Sequence, residues 1–567
     1  MTEARWFPAL LAVVLALACL AIRAPTLDRI ALNPDESQYE ATAAYLLSTG
    51  QSGFALPHAS AGTFTLYKGI AWLFGSYSMQ QVRLLVLLVV IGLTGLLFRI
   101  VRREAGLLAG FIAAALFVVG NLPFEGHSAN REWFALPGLW GGMALAIAAL
   151  RRGPRSPAWL WILAGAVTGT ALWFKLQAAY PVLTVPLFLL IWSLSTRTIR
   201  DGLRSIALFA VGGAVSSALY LMAFLRVGTL NSYVASIATD FSGYAAPADG
   251  SPQTTDLLAT WWERFLVGLP GTPLVAAIYG LVVSWLFVIV IRRGKTTPFP
   301  LLMTVHLGVC MAAVAMGGRF FGHYYLFLVP VWAVWVGIGI GGLRDSVSGD
   351  QAARRIWPTV VAAIIAFRFL DLSGDPTAIY LPAAVFIGYV AWRQRAFWRP
   401  VGVGLLILES CLFAYQALQT PTPDSLPYHR GGFENVRQVV EKHSDVDQPI
   451  LVWGWLPEIY SLTRRTPATS FVISQYLVQD VHDTVHTPEM DTRYESQMMG
   501  ELSRTPPVLI VDASAMSWTM VAGGSPTLYD LSHYPESEFR RWVAEEYEPL
   551  GYWDGVAVYR RRDESSK

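Results

Sequence analysis

Residues 6–39 read WFPALLAVVLALACLAIRAPTLDRIALNPDESQY: a 17-residue apolar run, a short basic and polar passage, then two acids behind a proline. A run of that length just covers the hydrocarbon core of a bilayer as a helix. Pro34 suits the first position of a new helix, and Asp35 and Glu36 would fall in its first turn, where the backbone dipole favours carboxylates. That second helix would carry Tyr39, Ala43, Leu46 and Leu47 on one face and stop at Gly50. A membrane span that delivers two acids to one face of the bilayer frames the reading of the remaining chain.

Composition extends the pattern. Only 14% of the 567 residues are charged, 54% are hydrophobic, and mean hydropathy is +0.43. An average soluble chain carries roughly 25% charge, so a disordered protein, a basic nucleic-acid-binding domain and an ordinary cytosolic enzyme are excluded. The charge is also divided unevenly. Residues 1–419 hold 29 Lys and Arg against 18 Asp and Glu, whereas residues 420–567 hold 13 against 22. A membrane body, 1–419, is therefore expected to precede a soluble acidic domain, 420–567. Cys19, Cys310 and Cys411 all lie in apolar segments and suggest neither a disulfide framework nor a zinc site.

Thirteen apolar runs qualify as spans, near 6–22, 81–98, 105–120, 134–150, 158–175, 178–195, 204–225, 272–291, 299–316, 325–343, 357–371, 379–392 and 400–418. The stretch 63–75 is short and contains Lys68; it reads as an interfacial helix. With that assignment and a cytoplasmic N-terminus, 19 of the 29 basic residues of the membrane body fall on the inside, in clusters such as Arg99/Arg102/Arg103 and Arg393/Arg395/Arg399. If 63–75 crossed, every cluster after it would flip outside, against the positive-inside rule. The expected fold is thus a polytopic all-α membrane protein with a C-terminal extracytoplasmic α/β domain, and the expected location is a multi-pass plasma-membrane protein with its C-terminal domain outside.

The outer face then consists of few pieces: the loop 23–80 with its interfacial helices, the loop 226–271, short connections and the acidic domain. Three of them concentrate ionisable residues at bilayer level, where such groups are costly and tend to serve function. One is Asn33–Tyr39. A second is Glu125-Gly-His127-Ser-Ala-Asn130-Arg131-Glu132, which runs directly into the apolar segment from Trp133. The third is Gly317-Gly-Arg319-Phe-Phe-Gly-His323-Tyr324-Tyr325. Arg319 there suits a lipid-borne phosphate, or simply snorkels within an aromatic belt. Lys175, in an outer turn, reads either way too. Glu409 and His306, central in their spans, read as hydrogen-bonded bundle groups rather than a proton path.

An outside Asp-Glu-x-x-Tyr helix after the first span (Asp35 to Tyr39), an acid after the third (Glu132) and a late run from Arg319 through His323 and Tyr324 to Pro330 resemble the GT-C superfamily of membrane glycosyltransferases, in the branch of protein O-mannosyltransferases and aminoarabinose transferases. The resemblance covers the layout of the whole membrane body. It implies inverting transfer of a sugar from a polyprenyl-phosphate-linked donor to an extracytoplasmic acceptor, with the bilayer as a further partner and no nucleic acid. By the same resemblance Asp35, with Glu36 beside it, acts at the acceptor hydroxyl, and Glu132 is a second acid for the acceptor or for a divalent metal (Mg or Mn) where one is used. Arg319, His323, Lys68 and Lys175 lie where donor-phosphate contacts are expected, and Tyr39, Arg131 and Tyr324 where substrate is. Relatives often carry a Lys-Pro-Pro turn where this chain reads Gly62-Thr-Phe-Thr-Leu-Tyr67-Lys68. The chemistry itself requires a carboxylate to take the hydroxyl proton and a positive pocket for the departing phosphate, but no metal. Two rivals remain open: a transporter or flippase of a lipid-linked sugar, and a glycan polymerase or ligase using a lipid-diphosphate donor.

The acidic domain is expected to be small and α/β, with a helix 434–443, strands 449–453 and 507–511, a helix 537–546 and a terminal hairpin turning at Asp554-Gly555. Trp453-Gly454-Trp455 would present exposed aromatics at the end of the first strand.

Overall fold

The computed structural model describes residues 6–27, 34–56, 61–74, 78–153, 156–238, 298–315, 322–341, 398–419, 433–454, 456–473, 488–513 and 537–562, with five further positions between 274 and 282. The described residues of the N-terminal part are predominantly helical. Its helices are α1 (Phe7–Arg23), α2 (Pro34–Ser48), α3 (Ala61–Phe74), α4 (Met79–Ala105), α5 (Leu107–Gly120), α6 (Arg131–Arg151), α7 (Ala158–Gly169), α8 (Ala179–Val182), α9 (Thr184–Thr196), α10 (Ile199–Val227), α11 (Leu230–Ser236), α12 (Pro298–Ala315), α13 (Val329–Gly341) and α14 (Trp398–Gln419).

Among the described residues seven helical segments are long and apolar enough to cross a bilayer: Phe7–Thr26, Met79–Ala105, Leu107–Phe124, Arg131–Arg151, Leu176–Thr196, Ile199–Val227 and Pro298–Ala315. Three shorter apolar helices accompany them, at Ala158–Trp173, Val329–Gly341 and Leu405–Gln419. The expected spans at 357–371 and 379–392, and most of 272–291, lie outside the described residues. Large apolar side chains face outward along these helices, including Val13 and Leu17 on α1 and Val215, Leu219 and Met222 on α10. Water would not tolerate so continuous an apolar exterior, whereas lipid would. The chain is a multi-pass membrane protein.

Inside, Trp133, Trp140, Trp335, Tyr67, Phe117 and Phe188 are fully buried. Close approach of helices substitutes for a hydrophobic drive that lipid cannot supply. Where α7 crosses α10, a Cβ on Gly165 would meet the Phe209 carbonyl oxygen at 1.9 Å, and one on Gly212 the Ile162 carbonyl oxygen at 1.9 Å. The stretch read as interfacial is α3, a 14-residue helix whose last residues, Trp72, Leu73 and Phe74, are exposed. His306 on α12 is bonded by ring Nδ1 to Thr184 Oγ1 at 2.8 Å, a bundle-internal contact. Glu409 on α14 is buried.

The C-terminal part is α/β. It comprises α15 (Glu434–His443), β1 (Ile450–Trp453), α16 (Glu458–Thr463), α17 (Pro488–Arg504), β2 (Leu509–Asp512), α18 (Glu538–Glu546), β3 (Tyr547–Trp553) and β4 (Val556–Arg561). The sheet order is β1-β2-β4-β3, with β1 and β2 parallel and the hairpin antiparallel. Asp554 and Gly555 take positive φ, 52° and 83°, as the hairpin turn requires. Ser537 caps α18 by accepting from the Arg540 amide. Helix α17 was not anticipated. Nor is Trp453 an exposed aromatic: it is buried and stacked on Phe539, because all four β1 residues lie inside the sheet's core. Trp455 lies outside the described residues.

Helix α2 joins the two parts. Its Tyr39, Ala43, Tyr45 and Leu46 belong to the bundle core, while Ala41 packs with Phe433, Val436 and Ile459 of the α/β unit. Ser461 Oγ on α16 donates to Glu40 Oε2 at 2.5 Å. Burial pushes the Glu40 carboxyl up to about 7, with the charge of Glu36 adding to it against the Ser461 bond and Arg83. Burial likewise pushes Glu458, on the other side of the seam, up to about 7, with Asp35 adding to it. Both acids therefore hold more protons in the docked state than free. The stability this represents is present below the ordinary carboxyl range and is lost as pH rises through about 7. Amide exchange of α16, corrected for intrinsic rate, should show stronger protection at about pH 6 than at about pH 8. Glu458→Gln should flatten that dependence.

Candidate active site

The site is assembled from four pieces: the start of α2, the turn 121–130 with the start of α6, the connection after α7, and the helical turn Gly322–Phe327. Asp35 stands in the first turn of α2, its carboxylate about a quarter exposed at 23%. Tyr39, one turn on, donates its hydroxyl to Asp35 Oδ2 at 3.4 Å. His323 Nε2 lies 3.7 Å from the same oxygen, and its Nδ1 lies 3.3 Å from Glu125 Oε2. Residues some 290 positions apart thus meet around one imidazole.

Glu125 reaches that imidazole because its backbone is left-handed, φ 56°. The next residue must be glycine, since a Cβ on Gly126 would sit 2.2 Å from Asn121 Oδ1. Asn130 Nδ2 donates to Glu125 Oε2 at 3.4 Å. Burial opposes a charge on His323, but the nearby Glu132 carboxylate and the bond from Glu125 outweigh burial and the opposing Lys175 charge. Its pKa is held above the ordinary histidine value.

Glu132, the second residue of α6, is fully buried against Lys175, with Nζ to Oε1 at 2.5 Å. Lys175 in turn lies over the ring of Tyr324 at 4.5 Å, and the Arg131 guanidinium over the ring of Tyr39 at 5.1 Å. Such cation–aromatic contacts hold buried charges in place where water cannot. Lys175, Arg131 and His323 therefore face Asp35, Glu125 and Glu132 across one cluster.

Glu36 is placed differently. Its two oxygens take Arg83 Nε at 2.9 Å and Nη2 at 2.6 Å, and Oε1 also accepts the Ala129 amide at 2.9 Å. Arg83 completes its fork by donating to the Thr26 carbonyl at 3.1 Å. The pair is buried on both sides and ties α1, α2, α4 and the 121–130 turn together. Lys68 is half-buried and donates to the carbonyls of Gly50 and Gln51, holding the turn after α2. Arg319 lies outside the described residues.

Of the residues expected from sequence, the structure brings Asp35, Glu132, His323, Lys175, Tyr39, Arg131 and Tyr324 together. Arg83 was passed over, although an arginine at the end of an apolar span is a visible signal. Glu125 was noticed only as one of a cluster. Among the described residues no three His, Cys, Asp or Glu side chains are grouped to hold a metal ion. Asp35 has no lysine or arginine at ion-pair distance among the described residues, and it is partly open to solvent. It is equipped to accept a proton from a bound hydroxyl.

No protein-family model matches the chain, and no curated protein matches it in sequence. Solved structures do match in fold. ArnT from Cupriavidus metallidurans bound to undecaprenyl phosphate superposes with a TM-score of 0.57 at 13% identity, covering 99% of each chain. The same protein in the apo state gives 0.52 at 13% identity, covering 96% of this chain and 97% of that one. An apo oligosaccharyltransferase from Archaeoglobus fulgidus gives 0.49 at 12% identity over 94% of this chain. The chain shares the fold of ArnT.

Proposed function

We propose that this protein is a glycosyltransferase that moves a sugar, with inversion, from a polyprenyl-phosphate donor to an extracytoplasmic acceptor. The observation that carries the reading is the carboxylate of Asp35, partly open to solvent and set against His323 beside the buried Glu132–Lys175 pair. The fold match to ArnT bound to undecaprenyl phosphate supports the donor class. Residues 1–419 form the catalytic membrane body and 420–567 the outer domain, with thirteen spans, a cytoplasmic N-terminus and the site on the outer face of the plasma membrane.

Asp35 accepts the acceptor's hydroxyl proton as that oxygen attacks the anomeric carbon. The bond from the anomeric carbon to the phosphate oxygen breaks, and its electron pair leaves with the polyprenyl phosphate. Lys175 and His323, with Arg319, offset the charge that grows on the phosphate. Glu132 fixes Lys175 in the dry interior, so the ammonium costs no reorganisation when charge develops. Glu36 acts through Arg83 to anchor the start of α2 rather than by touching substrate. Tyr39, Arg131 and Tyr324 line the pocket.

Purified protein in nanodiscs, incubated with a panel of polyprenyl-phosphate sugars, is expected to bind at least one and to release polyprenyl phosphate from it. Absence of binding to every donor would overturn the donor class and favour transport of an amphiphile.

A further inference from the structure

The C-terminal unit brings one more acid to this site. Glu458 is the first residue of α16, the helix that packs on α2, and is only 4% exposed. Its Oε2 has no hydrogen-bond partner among the described residues. Another buried acid of the unit, Glu501, shows what a purely structural carboxylate looks like here. It accepts from Thr469 Oγ1 at 2.6 Å, from the Ser470 amide at 2.7 Å and from Ser470 Oγ at 2.9 Å. A buried oxygen left unmatched costs free energy unless something else meets it.

The surroundings say where that something would be. Glu458 lies within electrostatic reach of Asp35, and no cation among the described residues acts on it. On α2, Ser37 is buried and its Oγ also lacks a partner among the described residues. Ser37 stands one turn before Ala41, the α2 residue that packs into the unit, and therefore on the same face. Two unmatched polar groups, one from each part, thus flank the seam that leads to Asp35.

We propose that Glu458 is an acceptor-positioning residue: its carboxyl, with Ser37, binds hydroxyls of a neutral sugar acceptor beside Asp35, so that the active site is shared between the membrane body and the C-terminal unit. This rests on the transferase reading above. With an acid for a neighbour and no cation beside it among the described residues, Glu458 suits hydroxyl groups, which both donate and accept, better than an ammonium group that needs a fixed counter-charge.

The test uses the full-length protein in nanodiscs with polyprenyl-phosphate sugars as donors and short alkyl glycosides as acceptors, water serving as the competing acceptor. Glu458→Ala should raise the KM for the glycoside about tenfold or more. Donor affinity and hydrolysis of the donor by water should stay within about twofold of wild type. Glu458→Gln, which keeps hydrogen-bonding capacity, should recover most of the loss. Ser461→Ala, which removes the seam bond to Glu40, separates loosened docking from lost contact and should leave the glycoside KM near wild type. Equal loss of transfer and hydrolysis in Glu458→Ala, or an unchanged glycoside KM, overturns the proposal while leaving the transferase reading intact. A wild type that turns over no donor at all rejects that reading and the proposal with it.

Discussion

Asp35→Asn is expected to lower sugar transfer by about two to four orders of magnitude while leaving donor affinity nearly unchanged. The substitution preserves size and still offers Tyr39 an oxygen, so the start of α2 should hold its geometry. What disappears is the basic lone pair. A sugar hydroxyl is far too weak an acid to give up its proton before attack, so without a base the barrier rises by the whole contribution of proton transfer. Donor affinity should survive because the groups proposed for the phosphate, Lys175 and His323, keep their other partners, Glu132 and Glu125. Loss of kcat with an intact donor Kd is the signature, read by product formation and by equilibrium binding on the same preparation. Transfer within about tenfold of wild type would show that the base lies elsewhere.

The second large effect concerns stability. Breaking the Glu36–Arg83 pair from one side, by Glu36→Ala or Arg83→Ala, should destabilise the fold by about 3–5 kcal/mol, because either change strands a buried charge. The pair is dry on both sides, with side chains 1% and 0% exposed. It also holds the Ala129 amide and the Thr26 carbonyl, so the damage spreads to the turn that carries Glu125. Replacing both partners together, Glu36→Gln with Arg83→Met, should recover much of the loss, since no lone charge remains. Thermal unfolding in detergent reads the first effect. Turnover per folded molecule separates a structural Glu36 from a catalytic one: it should remain within a few-fold for the double variant, whereas Asp35→Asn folds normally and does not turn over.

Asp35 and Glu36 are neighbours of the same charge, and nothing in Asn33–Tyr39 says which of them is free. The answer depends on Arg83, 47 residues downstream, which takes Glu36 and leaves Asp35 to His323. In the same way a lysine in a turn between two apolar helices reads equally as a snorkelling surface group or a site residue. The folded chain buries Lys175 against Glu132 and Tyr324, away from the surface. Trp453 was misread in the opposite direction, because local sequence cannot show that a sheet core lies in wait for it, nor that the carbonyls of Gly50 and Gln51 hold Lys68. Glu458 had no local signal at all: its meaning comes from the docking of α16 on α2.

From the residues alone follow the membrane body, the acidic α/β tail with its hairpin, the acidic start of α2 and the resemblance to a known superfamily. The first three are consequences of periodicity, composition and charge bias, which act over one helix or one loop at a time; the last rests on short motifs and their order. The pairing of charges, by contrast, belongs to the folded chain. In a low-dielectric interior a carboxylate's chemistry is set by whether a cation lies within a few ångströms, and that distance is fixed by helices brought together from opposite ends of the sequence.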